Sequence, residues 1–274
     1  MRSQREELEL LIEAARGAAE IAMSYFGRSP EVWMKAGHSP VSEADYAVDR
    51  YLKSVLLAAR PGYGWVSEES EQPRTGNIED AQSRFFVVDP IDGTRAYLRG
   101  EATWCVSLAL VSKGRPVAGV IHAPALSEVF LATEEGAATC NGRPIEVGQR
   151  WGEGAGEALS VAMPDQLRGR FERLDPPLRD AVTPAKAVPS LAYRLALVAD
   201  GRLDATLIRP RCNDWDIAAG DLILKRAGGR LVDTNGQDIL YSESPNRHGV
   251  LIAASEASQG LAMRLAEGLA PITR

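Results

Sequence analysis

Phe85-Phe86-Val87-Val88-Asp89-Pro90-Ile91-Asp92-Gly93-Thr94 is the stretch from which the rest of the chain can be read. The apolar run from Phe85 to Val88 has the length and character of a buried strand. Asp89 and Asp92 follow on a Pro-stiffened turn at its carboxyl end, close enough to converge on one cation. Gly93-Thr94 opens a helix start, where free backbone N–H groups favour a phosphate. A cation beside a phosphate cradle implies phosphoryl chemistry. Pro, Asp and Gly also favour turns for separate reasons, so the stretch alone reads more readily as a plain turn. Acids gathered at other strand ends would separate the two readings.

Such acids are present. Glu68-Glu69 follow a strand expected over 63–66, and Asp214-Trp215-Asp216 lie just past a strand expected over 203–208, at the entrance of a helix. An Asp at a helix entrance is ordinarily an N-cap. Hard divalent cations take oxygen ligands, and Mg²⁺ typically keeps one or two carboxylates with water and substrate phosphate. Glu68, Asp89, Asp92 and Asp216, with the Ile91 carbonyl, would hold two or three such ions.

Composition narrows the alternatives. The chain has 274 residues, 45% hydrophobic and 25% charged, with net charge −6. That is ordinary for one large domain or two intimate subdomains, and no basic run follows a nucleic-acid backbone. Apolar stretches fall far short of the ~20 residues of a membrane span. The start of the chain lacks a signal-peptide core, so the expected location is the cytoplasm. Cys105, Cys140 and Cys212 are widely spaced and include no CxxC pair, which speaks against a disulfide framework or a thiolate zinc site. His38, His122 and His248 are scattered without HExxH spacing. GxxxxGK[ST], GxGxxG and GxSxG are all absent, which removes the commonest nucleotide and serine-nucleophile readings.

Periodicity predicts a helix over 4–26, a short strand at 32–35 and a helix from an N-cap at Ser42 to about 59, after a turn at 37–40. An exposed loop is expected over 71–84, and strands over 103–112, 116–122 and 128–132. Asn141-Gly142 is a hairpin turn. The Gly- and Glu-rich stretch 148–158 reads as a subdomain join. It divides an N-terminal α+β subdomain, 1–150, from a C-terminal α/β subdomain, 151–274. The second half alternates: a strand from Val161, a helix over 190–200, a strand over 203–208, a helix over 214–227, strands near 230–233 and 249–254, and a last helix over 256–269. Layered α and β elements with mixed sheets follow.

Taken together, four ordered segments resemble the inositol monophosphatase superfamily of Mg²⁺-dependent, lithium-sensitive phosphomonoesterases. They are Lys35 with Ser39-Pro40-Val41-Ser42-Glu43-Ala44-Asp45, Glu68-Glu69-Ser70, Asp89 to Thr94, and Trp215-Asp216-Ile217-Ala218-Ala219-Gly220. The resemblance implies a layered αβαβα sandwich with the site between the subdomains, and homodimers are common in the family. It assigns metal ligation to Glu68, Asp89, the Ile91 carbonyl, Asp92 and Asp216. Asp45 and Thr94 would orient and help deprotonate the attacking water, with Glu69 grouped beside them as catalytic. Gly93 and Thr94 amides would receive the phosphate. Lys35 would close over the site or steady a metal-bound water, or stand as a solvated lysine.

Substrate choice lies outside these segments. Inositol-cleaving members carry Thr-Asn after the signature, where this chain has Arg95-Ala96. They also place a glutamate seven positions before the last metal aspartate, where this chain has Arg209, followed by Arg211. The Ser39–Asp45 segment and Asp214 resemble the bacterial 3'(2'),5'-bisphosphate nucleotidases. Arginines suit a second phosphate, so the expected reaction is 3'-phosphoadenosine 5'-phosphate to AMP and phosphate. Inositol 1-phosphate and histidinol phosphate are the alternative substrates. The alternative of another class is an RNA- or transcription-complex-binding protein, which the acidic balance disfavours.

Overall fold

Residues 3–28, 30–35, 40–70, 84–149, 158–244 and 246–269 are described by the structure, a computed structural model. The first half contains α1 (Gln4–Tyr25), β1 (Val32–Met34), β2 (Pro40–Ser42), α2 (Glu43–Ala59), β3 (Gly64–Ser67), β4 (Arg84–Asp92), α3 (Thr94–Leu98), β5 (Cys105–Ser112), β6 (Arg115–Ala123), β7 (Glu128–Thr133), β8 (Thr139–Cys140) and β9 (Arg143–Pro144). The second half contains β10 (Leu159–Ala162), α4 (Asp165–Phe171), α5 (Pro176–Asp180), β11 (Val182–Pro184), α6 (Leu191–Ala199), β12 (Ala205–Ile208), α7 (Asp214–Arg226), β13 (Gly229–Asp233), β14 (Leu251–Ser255) and α8 (Glu256–Leu269).

Alternation along the strands assigns their faces. In the larger sheet, ordered β3-β4-β5-β6-β7-β8-β9, only the β3–β4 pair is parallel. Phe86, Val88, Val106, Leu108 and Leu110 point to one face, where they meet Leu11 of α1 and Val48 and Leu52 of α2. Phe85, Val87, Cys105 and Ala109 point to the other, against Leu195 of α6 and Ile217 and Leu222 of α7. Each such Leu or Phe contributes about 1.5–3 kcal/mol on full burial. The second sheet, ordered β11-β10-β12-β14-β13, covers the far side of α6 and α7. Its Leu251 and Ala253 face those helices, while Ile252 and Ala254 face Leu261 and Leu265 of α8. The layers therefore run αβαβα, as expected, and both sheets share α6 and α7.

Two glycines let that middle layer close. A Cβ on Gly220 of α7 would lie 2.6 Å from Leu195 Cδ1 of α6, and one on Gly119 of β6 would lie 3.3 Å from the Ala219 backbone. Neither position tolerates a side chain without displacing a neighbour. Among the described residues no helix is long and apolar enough to cross a membrane.

The expected elements are present with small boundary shifts, and Asn141-Gly142, with φ of 50° and 76°, turns β8 into β9. The expected turn after Val88 is different. β4 continues through Asp92, pairing Asp89 with Ser107 and Asp92 with Cys105, with the register shifted between them. Pro90 has no N–H to give a ladder, and it falls in that irregularity, where none is needed. Pro40 likewise belongs to β2, which pairs with β1, rather than to a turn. Residues 36–39, most of the expected 71–84 loop and residues 150–157 of the expected join lie outside the described residues. The short elements β2, α4, α5 and β11 have no counterpart in the sequence reading.

Candidate active site

Three helices begin beside the end of β4, and each has a carboxylate at its first turn. At α2, Asp45 Oδ2 accepts the Ser42 N–H at 2.7 Å and the Ser42 hydroxyl at 2.5 Å. At α7, Asp216 Oδ2 accepts the Asn213 N–H at 2.6 Å. At α6, the acceptor comes from another element: Asp92 Oδ2 takes the Ala192 N–H at 2.6 Å and the Ser190 hydroxyl. Each helix start carries roughly half a positive charge, so the peptide dipoles partly offset the acids gathered there. The short α3 starts at the same place. Gly93, at φ 93°, precedes it, and a Cβ there would lie 3.1 Å from Ser190 Cβ and 3.2 Å from the Thr103 carbonyl oxygen.

Asp89, Asp92 and Asp216 each present one carboxylate oxygen within 4.8 Å of the other two. Asp89 and Asp92 are buried, and Asp89 Oδ1 has no hydrogen-bond partner among the described residues. Burial first, then Glu68 and Asp92, pushes Asp89 well above the usual carboxylate range. Burial likewise moves Asp92 up to about 6, against the Ser190 and Ala192 hydrogen bonds. Asp216 is pushed up to about 7 by burial and then by the charge of Asp92.

Glu68 and Glu69, just past β3, are bridged by Lys35, whose Nζ lies 3.1 Å from Glu68 Oε1 and 2.7 Å from Glu69 Oε1. Burial alone would depress the Lys35 ammonium, but Glu68 and Glu69 outweigh it and raise its pKa. Glu69 is nevertheless pushed up to about 7 by burial, and Glu69 Oε2 has no partner among the described residues. Asp45 is moved up to about 6, again chiefly by burial. Buried acids this crowded hold a proton or a cation. An all-oxygen donor set of three gathered carboxylates, one with a buried unpartnered oxygen, fits a hard divalent cation.

The structure thus brings Lys35, Asp45, Glu68, Glu69, Asp89, Asp92, Thr94 and Asp216 together. Thr94 Oγ1 lies 3.4 Å from Asp45 Oδ1 and 3.1 Å from the Ile91 carbonyl oxygen, while the Ile91 side chain is wholly core. The expected substrate arginines are less tightly placed. Arg95 is exposed on α3, and Arg211, exposed at φ 74°, gives its N–H to the His248 carbonyl. Arg209 is exposed at the end of β12, where it lines a cavity of ≈ 440 Å³ with Leu167, Val250 and Met263. Asp214 is fully buried against His248 Nε2 at 2.7 Å, a structural role.

Two residues escaped the sequence reading. Ser190 caps α6 and holds Asp92. Arg194 lies one turn further on the same helix face, half-buried, with an Nε that is sealed from solvent and has no partner among the described residues. Burial pulls its guanidinium down to about 10, while Asp92 opposes that shift and Arg209 adds to it. The available signal was a lone cation inside Leu191-Ala-Tyr-Arg-Leu-Ala-Leu-Val-Ala199.

Comparison with known proteins gives this geometry its context. The family model described as the inositol monophosphatase family matches residues 3–271. An inositol-1-monophosphatase of Mesorhizobium japonicum is 34% identical over 260 residues, which cover 92% of each chain. A histidinol-phosphatase of Chlorobaculum parvum is 31% identical over 86% of this chain and 90% of its own. The crystal structure of the extragenic suppressor protein suhB from Bartonella henselae superposes with a TM-score of 0.80 at 30% identity, covering 97% of this chain and 99% of that one. Family and relatives make the protein a phosphatase of small phosphorylated substrates, in a group that depends on metal. From its first described helix to the end of its last, the chain belongs to the inositol monophosphatase family.

Proposed function

We propose that the protein is a Mg²⁺-dependent phosphomonoesterase that hydrolyses 3'-phosphoadenosine 5'-phosphate to AMP and phosphate, with its site between an N-terminal subdomain, 1–150, and a C-terminal one, 151–274. Glu68, Asp89, the Ile91 carbonyl, Asp92 and Asp216 would hold two or three ions. When bound, the ions supply Lewis acidity and neutralise charge on the phosphoryl oxygens and the leaving group. The protein's own work is then positioning, since phosphoryl transfer asks little covalent chemistry of it. Gly93 and Thr94 amides face the phosphate. The Thr94 hydroxyl, within reach of both Asp45 and the Ile91 carbonyl, aims the attacking water and passes its proton towards Asp45. A base moved up to about 6 is well matched to that task near neutrality. Lys35 holds Glu68 and Glu69 in place from the β1 side.

The substrate reading rests on Arg194, a guanidinium with a covered, unpartnered Nε that senses both Asp92 and Arg209. A second substrate phosphate would meet the uncovered Nη end of that guanidinium with charge-assisted hydrogen bonds. Steady-state kcat/KM with Mg²⁺ for the adenosine bisphosphate, inositol 1-phosphate and histidinol phosphate tests this. The bisphosphate is expected to lead by about a hundredfold, and Arg194→Gln to remove roughly ten- to a hundredfold of that lead. The names of the two similar enzymes favour inositol 1-phosphate and histidinol phosphate as second readings. A hundredfold preference for either would replace the nucleotidase assignment.

A further inference from the structure

We propose that Asp49 and Ser67 form a strut that sets the affinity of the acid cluster for its cation, although neither would touch the ion. The inference rests on the metal-site reading above. Asp49 lies one turn after Asp45 on α2, so the two carboxylates share a helix face. Asp45 turns back to its own helix start and to Thr94, whereas Asp49 Oδ1 accepts the Ser67 hydroxyl. Ser67 ends β3, is 2% exposed and stands immediately before Glu68.

The Ser67 hydroxyl has one proton to give, and an ionised carboxylate can only accept, so the proton points at Asp49. The same oxygen accepts the Glu69 N–H at 3.2 Å. On the other side, the Glu68 N–H donates to the Val88 carbonyl at 3.2 Å, one residue before Asp89. The Glu68-Glu69 segment is therefore clamped between the strand that carries Asp89 and the helix that carries Asp45. Among the described residues Asp49 has no ion pair within 4 Å, and burial pushes its pKa up while the Ser67 hydrogen bond pulls it down. Lys53 and Lys35 act on Asp49 only through their charge, so its one side-chain hydrogen bond among the described residues fixes Ser67, and through Ser67 the approach of Glu68 to Asp89.

The test is Mn²⁺ binding to chelator-treated, substrate-free enzyme, followed by paramagnetic resonance of the free ion, with the melting temperature measured in parallel. Asp49→Ala is expected to weaken Mn²⁺ binding about tenfold, within the range for outer partners of metal ligands. Asp49→Asn, which keeps an acceptor for Ser67, should restore it to within about threefold of the parent. Ser67→Ala should match Asp49→Ala, and the double variant should be no weaker than either single one. If Asp49→Ala does not fold, Ser67→Ala carries the comparison. A parent enzyme that binds no Mn²⁺ overturns the metal reading and the strut together. A parent that binds Mn²⁺, with Asp49→Ala or Ser67→Ala within twofold of it, overturns the strut alone, even where the melting temperature has fallen.

Discussion

At the start of α1 the Glu6 carboxylate accepts the Ser3 N–H at 3.1 Å, and at the start of α7 the Asp216 carboxylate accepts the Asn213 N–H at 2.6 Å. Both acids sit at the third helical position and reach back to the N-cap, the same local device. Glu6 does this on the surface, where its second oxygen faces water. Asp216 does it against Asp92, in a setting that pushes it up to about 7. Asp45 repeats the buried version at α2. A cap uses one carboxylate oxygen, and the packing around the helix start decides what the other can do. At α1 it remains a cap, whereas at α2 and α7 it joins a cluster of buried acids.

Asparagine at the buried caps tests that contrast most severely. Asp216→Asn and Asp92→Asn keep an oxygen for the helix N–H but remove the charge a cation requires. Their kcat/KM with Mg²⁺ should fall by roughly a thousandfold or more, since each lost charge removes several kcal/mol of transition-state stabilisation. Calorimetry in chelator should find both variants at least as stable as the parent, because a buried repulsion has been relieved. A large loss of stability would mean that the acids are structural caps after all.

Acidity offers the next test, and its sign follows from the raised carboxylates. Folded values of about 7 for Asp216 and Glu69 and about 6 for Asp92 exceed ordinary carboxylate values. The folded protein therefore holds these protons more tightly than the unfolded chain does. That stabilisation is complete below the unfolded values near pH 4 and is lost as pH rises through about 6 to 7. In chelator the melting temperature should fall between pH 5 and 8, and Mg²⁺ should reverse the fall. Protons and cation compete, so the Mg²⁺ concentration for half activation should rise by about tenfold or more from pH 8 to pH 6. A half-activation concentration independent of pH would place the cation elsewhere.

The smallest effect is expected at the surface cap. Ser3→Ala should cost about 0.5–1 kcal/mol in urea unfolding and leave kcat/KM for any phosphate ester within experimental error. A kinetic effect there would erase the distinction between the two kinds of helix start.

How much of this was legible in the sequence depended on distance along the chain. Ser42 as the N-cap of α2, Asn141-Gly142 as a hairpin and the long amphipathic α1 are local patterns, and they appear where they were expected. The acids stood out because they follow strands in recognisable segments. The bulged end of β4 was not, because Pro and Gly speak for a turn and only pairing with β5 makes a strand of it. α4 and α5, of 7 and 5 residues, are too short to show a period. The bond from Ala192 to Asp92 spans 100 residues, and no local pattern encodes it. Ser190 and Arg194 were missed for that reason.

Gly220 ends the Trp215–Gly220 segment and sets how near α7 lies to Leu195 of α6. One of these helices caps Asp92 at its start and the other carries Asp216 at its start. A stiff helix passes a sideways shift along its length largely undiminished, so the crossing acts as a gauge for the gap between the two carboxylates. A methyl group at Gly220 would lie 2.6 Å from Leu195 Cδ1, well inside ordinary contact, and would push the two helices apart. The spacing of these two carboxylates is in that sense partly a property of a side chain that is not there.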